Sequence, residues 1–242
     1  MNTLFIVGSA IHTKHGQFTA EQRLEQTKNT LQSITLAVPS AKIILNESSA
    51  QKSLSDLEIA QLSPYFTVLA TQSADPTIQK IYQSTDNYDI VKSYTELVST
   101  IRILESAVSA PDSLLNDADR VFKLSGRYTI DSDFDLTPYE NPALANKYIF
   151  AARRYSQFSP QITNGLQFQL MSRLWSWPAK STGLVLARYQ IMLEDFGTSL
   201  DKGQYRDIEH LLFKYFEGPN LHEFAKIGVT GKVAPTGQTV KD

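Results

Sequence analysis

The chain has 242 residues, 42% of them apolar and 20% charged, with a formal net charge of −2, which is the profile of one large globular domain rather than a polycation. It has no cysteine, which excludes disulfides, thiolate metal ligands and a cysteine nucleophile and points to a reducing, cytoplasmic setting. No apolar run approaches the roughly 20 residues of a membrane span, and no basic n-region with an apolar h-region opens the chain, so neither a membrane span nor a secretory signal is expected.

Thr3 to Gly8 (TLFIVG) is a short apolar, β-branched run that predicts a buried first strand. A polar loop from Ser9 to Phe18 follows. Thr19 with Gln22 has the form of a capping box, with Phe18 placed as a staple. Leu24, Leu31, Ile34 and Val38 then give helical spacing. Pro39 and Ser40 break that helix, and Lys42 to Leu45 (KIIL) supplies a second strand. The crossover is long enough for a parallel pair of right-handed connection.

Ser55 and Glu58 make a second capping box before a short helix, Asp56 to Leu62, and Tyr65 to Ala70 reads as a third strand. Helices are expected over Pro76 to Gln83 and Asp89 to Val108, the latter stopped by Pro111. Arg120 to Leu124 (RVFKL) is a fourth strand. Beyond Asp135 the pattern loosens. Lys147 to Ala151 and Gly165 to Leu170 read as strands, Pro178 to Phe196 and Tyr205 to Phe216 as helices, Phe224 to Val229 as a late strand, and Gly231 to Asp242 as a polar tail. Strands alternating with helices argue an α/β fold: a Rossmann-like, mostly parallel sheet flanked by helices, with a less regular α+β C-terminal half.

Charge is unevenly placed. From Asn141 to Leu193 there is no acid, yet Lys147, Arg153, Arg154, Arg173, Lys180 and Arg188 occur there, interleaved with aromatics that include Trp175 and Trp177. Such a stretch suits a phosphate-bearing ligand held locally; the alternative is pairing with the acidic flanks across the fold.

Ligands of open parallel sheets sit outside the carboxyl ends of the strands. The first strand ends in Gly-Ser-Ala, without GxGxxG or a Walker lysine, which disfavours a conventional dinucleotide or P-loop site. After the second strand, Asn46-Glu47-Ser48-Ser49 offers an acid for a ribose or base N–H, or merely a strand-end turn. After the fourth, Gly126 would give a ligand clearance and Arg127 a planar fork for phosphate oxygens, against a glycine bend with a surface arginine. Asp131 and Asp133 have the spacing for Mg²⁺ or Mn²⁺ on a diphosphate, or form a solvated turn. Lys92 could reach a phosphate from its helix, or stay in solvent. Glu209, in an amphipathic helix, could serve as a general base, or be a solvated charge. The four histidines show no HExxH spacing, which disfavours a zinc hydrolase.

TLFIVGSAI, the long helix ending in TLQSI, and VPSAKIILNESS together resemble the start of GT-A-type glycosyltransferases, and FKLSGRYTIDSDFD resembles the segment carrying their metal-binding DxD. The likeness covers about residues 1–135, with only faint traces in IEHLLFKYF and GVTGKVAPTG. It implies transfer of a sugar from a nucleoside-diphosphate donor to a hydroxyl acceptor. Residues 1–135 would form the nucleotide-sugar half and 136–242 the acceptor half of the same domain. Ser9 and Glu47 would line the nucleoside site, Lys92 and Arg127 would balance the diphosphate, Gly126 would give clearance, and Glu209 would be the base. The strand ends in Ser125-Gly126-Arg127 where the family carries its acids. Arg127 therefore replaces the metal's charge, or Asp131 and Asp133 hold Mn²⁺ or Mg²⁺. A glycan is the default acceptor; a modified DNA base, tracked by the basic 147–189 stretch, is the sharper option. The rival from another class is a silent nucleotide- or partner-binding module.

Overall fold

The computed structural model describes residues 1–110, 112–233 and 237–242. Pro111, expected to stop a helix, and part of the expected polar tail lie outside the described residues. The N-terminal half is laid down as β1 (Thr3–Ser9), α1 (Ala20–Ala37), β2 (Lys42–Glu47), α2 (Asp56–Leu62), β3 (Val68–Thr71), α3 (Pro76–Ser84), α4 (Tyr88–Ser109) and β4 (Arg120–Ser125). The remainder adds β5 (Tyr128–Ile130), β6 (Tyr148–Ala151), β7 (Arg154–Tyr155), α5 (Pro160–Thr163), β8 (Phe168–Gln169), β9 (Leu174–Pro178), α6 (Thr182–Asp201), α7 (Ile208–Phe216), β10 (Leu221–Phe224), β11 (Val229–Lys232) and β12 (Thr239–Lys241).

Local chemistry explains the early elements. The expected capping boxes form at both helix starts: Thr19 and Gln22 exchange bonds ahead of α1, and Ser55 and Glu58 do so ahead of α2. β1 is buried almost throughout, which is why it reads as an apolar run rather than an alternating one, and β4 is as buried although it carries Arg120 and Lys123.

Seven strands form one mixed sheet in the order β10-β6-β9-β4-β1-β2-β3. β1 pairs in parallel with β2 and with β4, Val7 lying between Leu45 and Leu124. β2 with β3, and β10 with β6, are parallel as well. β9 runs against both of its neighbours, β4 and β6. On one face, α4, α6 and α7 cover a core built on Leu97, Tyr148, Trp175, Trp177, Tyr189 and Phe216. On the other, α1 and a three-stranded sheet, β12-β11-β5, cover Phe5, Val7, Leu31, Phe122 and Ile130.

The C-terminal half departs from expectation in ways that have physical causes. β9 occupies a stretch for which no element was expected and takes in Pro178, and the helix expected from Pro178 starts at Thr182. The expected strand at Phe224 to Val229 is two: β10 ends at Phe224 and β11 begins at Val229. Gly228 makes the break between them. It sits at φ +77°, and a Cβ there would come within 2.1 Å of the Phe134 backbone nitrogen. The expected strand at Gly165 to Leu170 shrinks to β8, which pairs with β7. In place of a polar tail, β12 pairs antiparallel with β11. β3 starts at Val68 rather than Tyr65 because Ser63–Tyr65 forms a 3-10 turn.

Candidate functional site

A cavity opens where β1, β2 and β4 end, walled by the loop after β1 and by the first turns of α4. Four of the residues singled out from sequence meet there: Ser9, Lys92, Gly126 and Arg127. Three more lining residues carry charge and had not been anticipated: Arg23, Glu96 and Lys123.

The two strand-end glycines do different things. A Cβ on Gly8 would meet no atom within 4 Å, so the missing side chain is room inside the cavity. Gly126, expected to clear a ligand, lines the cavity and also lets two backbones close. Its N–H donates to the Gly8 carbonyl at 2.7 Å, and a Cβ on it would sit 2.9 Å from that oxygen.

Glu47, expected at the nucleoside site, lies outside the cavity's lining and is fully buried. Its Oε1 accepts from the Ile11 N–H at 3.1 Å, from the Ser49 N–H at 3.0 Å and from the Ser49 hydroxyl. The carboxylate therefore pins the loop after β1 to the end of β2, and Ser9 and Thr27 join the same seam through their hydroxyls.

Charges in and behind the cavity fall into two groups. The guanidinium groups of Arg23 and Arg127 make no ion pair among the described residues. Arg23 donates to the carbonyls of Phe18, Ala10 and His15, which shapes the loop, and burial with the nearby Arg127 charge lowers its pKa. Arg127 lines the cavity and is recorded in no ion pair among the described residues.

The two lysines are already paired. Lys123, 3% exposed, contacts Glu96. Burial pushes the Glu96 carboxyl up, but Lys123 and Lys92 outweigh it and hold it below the usual carboxylate range. Lys92 lies 3.5 Å from Glu209, whose Oε1 also accepts from the Ser172 hydroxyl at 2.8 Å. Burial would lower the Lys92 ammonium, yet Glu209 and Glu96 raise it above its ordinary value. Glu209 is 5% exposed and is not among the cavity's lining residues, so it stands behind Lys92 as its counter-charge. Burial, with Asp207 and Glu96 adding, raises its carboxyl against the pull of Lys92.

Uncommitted polar atoms mark the remaining wall. The Asn46 amide donates to the Ser99 carbonyl at 3.2 Å, leaving its buried Oδ1 without a partner, and Thr95 Oγ1 and His15 Nε2 are likewise buried and unpartnered among the described residues. All three residues line the cavity. His15 meets Tyr82 and Tyr88 edge-on, with centroids 5.7 and 6.1 Å away. Buried polar atoms of this kind are ordinarily satisfied, and three of them on residues lining one cavity are what a polar ligand would complete.

Asp131 and Asp133 lie elsewhere. Asp131 accepts from the Asp133 N–H at 2.8 Å and from the Thr230 hydroxyl. Lys241 and Lys226 reach Asp133 at 3.1 and 3.2 Å. The pair forms a turn stapled to the three-stranded sheet, its charge answered by lysines, and it does not fit a divalent cation. Among the described residues no group of three or more histidines and acids could hold a metal.

The basic stretch is also spoken for. Arg153 pairs with Glu223 and Glu217, and Arg154 and Arg173 both reach Asp242. Arg188 lies over the Tyr148 ring at 4.6 Å. Trp175 and Trp177 are wholly buried, Trp175 stacked on Phe150 at 4.7 Å. Much of the surface invoked for tracking DNA is thus core and ion pair, with acids supplied from the C-terminal side of the stretch.

No protein-family model matches this chain, and no curated protein matches it. Solved structures do. An active-site mutant of LgtC superposes with a TM-score of 0.55 over 92% of this chain and 72% of its own, at 14% identity. The galactosyltransferase LgtC in complex with donor and acceptor sugar analogs gives 0.54 over 92% and 73%, at 12% identity. Mouse xyloside xylosyltransferase 1, apo form, gives 0.49 over 92% and 84%, at 10% identity. The two higher-scoring superpositions establish a GT-A glycosyltransferase fold, as the strand order and the mostly parallel sheet already indicate.

Proposed function

We propose that this protein transfers a sugar from a nucleoside-diphosphate donor to a hydroxyl acceptor, with guanidinium and ammonium groups carrying the diphosphate's charge in place of a divalent cation. The observation that carries this reading is the meeting of Arg127, Arg23 and Lys92 in one cavity at the carboxyl ends of β1, β2 and β4. Arg127 offers a bidentate fork to phosphate oxygens, and such charge-assisted bonds are about twice as strong as neutral ones. The nucleoside would lie against Asn46, Thr95 and the His15–Tyr82–Tyr88 corner, with Ser9 and Gly8 beneath the ribose and phosphates. Glu47 supports this site through the loop it pins, and Glu209 through the lysine it holds. A glycan is the acceptor this reading favours.

The test is a thermal-shift panel of UDP, GDP, CDP and ADP, each with EDTA and with Mn²⁺. At least one nucleotide should raise the melting temperature equally in both. A shift that requires Mn²⁺ would refute the metal-independent reading, and no shift with any nucleotide would refute the donor itself.

A second reading is a nucleotide-binding module without turnover. One observation favours it: Glu96, the one carboxylate among the described lining residues, is tied to Lys123 and held below the usual range, which makes it a weak base. Slow hydrolysis of a bound nucleotide sugar by the purified protein would exclude this reading.

A further inference from the structure

We propose that Ser156, His210 and Asp207 form a second reactive site, in which the Ser156 hydroxyl attacks carboxylic esters. None of the three lines the cavity, so this site stands apart from the one above and does not depend on the nucleotide-sugar reading.

The geometry is that of an activated nucleophile: a base within hydrogen-bond reach, itself oriented by a third group. Ser156 Oγ lies 2.8 Å from His210 Nε2, and His210 Nδ1 lies 2.6 Å from Asp207 Oδ1. Asp207 caps α7 and accepts from the His210 N–H at 3.0 Å, so one helix start fixes both the base and the acid behind it. Gln169 on β8 donates to both Asp207 oxygens, at 3.2 and 3.0 Å, which stops the carboxylate turning away. Ser156 follows β7, which is paired with β8. Two segments distant in the chain therefore meet at this hydroxyl.

The protons fall where the chemistry needs them. Burial pushes the Asp207 carboxyl up, but His210 and Lys92 outweigh it and hold it below its ordinary value. An ionised carboxylate only accepts, so Nδ1 carries the proton of the neutral ring and Nε2 presents a lone pair. His210 is 0% exposed, and a buried acceptor needs a donor; among the described residues the Ser156 hydroxyl is the one in reach. The Phe158 carbonyl, 3.0 Å from the same oxygen, competes for that proton, while the Phe158 N–H holds the oxygen in place at 2.9 Å. Ser156 is half-buried between the exposed Tyr155 and Gln157, so the hydroxyl end of the trio is the one that meets solvent. On attack, Oγ bonds to the acyl carbon as Nε2 takes the hydroxyl proton. The C–O bond of the ester then breaks, and the leaving alkoxide carries that proton away. Water repeats the sequence on the acyl-serine, which releases the acid and restores both side chains. The Gln157 N–H, next after the serine, has no partner among the described residues and is free to donate to the carbonyl oxygen as charge gathers there.

The experiment treats the whole chain with a fluorophosphonate, which phosphonylates activated serines, and maps the modified peptide by mass spectrometry. Ser156 should be the labelled residue. With p-nitrophenyl acetate as substrate, Ser156→Ala should lower the rate by about tenfold or more and abolish the label. Asp207→Asn keeps a good helix cap but removes the charge behind the ring. It should stay folded by circular dichroism and label at least about tenfold more slowly. Labelling of that folded variant at the wild-type rate overturns the role of Asp207. No label on the folded wild-type chain, a label on another residue, or an equal rate in folded Ser156→Ala overturns the site as a whole. Should Ser156→Ala misfold, the residue mapped in the wild-type chain decides alone. The donor reading stands or falls separately, on its nucleotide melting shifts.

Discussion

Gly8 lines the cavity, and the space a side chain would fill there is open. Gly8→Val should therefore change stability by less than about 0.5 kcal/mol, as substitutions into open space do, while abolishing the nucleotide-induced melting shift. A variant that still binds nucleotide would move the ligand away from β1. Arg127 makes the complementary test. Loss of a charge-assisted bond costs about 1.5–3 kcal/mol, so Arg127→Ala should weaken nucleotide binding by roughly tenfold to a hundredfold. Glu47→Ala should instead lower stability, by about 1–3 kcal/mol, because the N–H groups of Ile11 and Ser49 lose a buried acceptor; chemical denaturation measures it. At this scale the positions of Ser9 and Arg127 on the cavity wall were legible, since a cavity at the carboxyl ends of parallel strands follows from topology alone. Lys123 left a signal that went unused. A lysine inside the apolar strand RVFKLS needs a buried partner, and Glu96, four residues after Lys92 on α4, supplies one. An acid at a strand end reads the same whether it faces a ligand or a loop, and Glu47 accepts from the loop after β1.

At the scale of elements, α2 is bound to the loop after β1 by His12 and Glu58, 3.0 Å apart. Burial pushes the Glu58 carboxyl up, but hydrogen bonds from Ser55 and from His12 bring it down from 4.5 to about 2. A carboxyl whose pKa is lower folded than unfolded stabilises above its unfolded value. That contribution is complete above about pH 4.5 and is lost as pH falls toward about 2. Glu58→Gln keeps an acceptor for Ser55, so its melting temperature should fall less than the wild type's between pH 6 and pH 3. Equal falls in both proteins would show that this pair adds nothing. The elements most readily seen in the sequence were those with strong caps and long apolar periods, α1 and α4 above all. β9 escaped because both of its faces are buried, so LWSWP shows no alternation, and because its terminal proline resembled a helix start.

The basic middle of the molecule holds three of its six cations, Arg153, Arg154 and Arg173, in ion pairs. With Arg153, Arg154 and Arg173 committed to Glu223, Glu217 and Asp242, single-stranded DNA should show no retardation in a gel at about 0.1 M salt. Retardation there would mean that those pairs open to phosphates. The acid-free run was visible from the sequence, but its partners were not, since pairing across the fold depends on β6, β10 and β12 being brought together. Two consequences of topology remain for a chain growing from its N-terminus. The strands Thr3–Ser9, Lys42–Glu47, Val68–Thr71 and Arg120–Ser125 can assemble as soon as they emerge, but the flank of the last of them has no cover until Leu174–Pro178 has been synthesised. Throughout that interval an apolar edge carrying Val121, Phe122 and Leu124 stays open to other nascent chains, so slow synthesis across residues 126–173 should favour aggregation over folding.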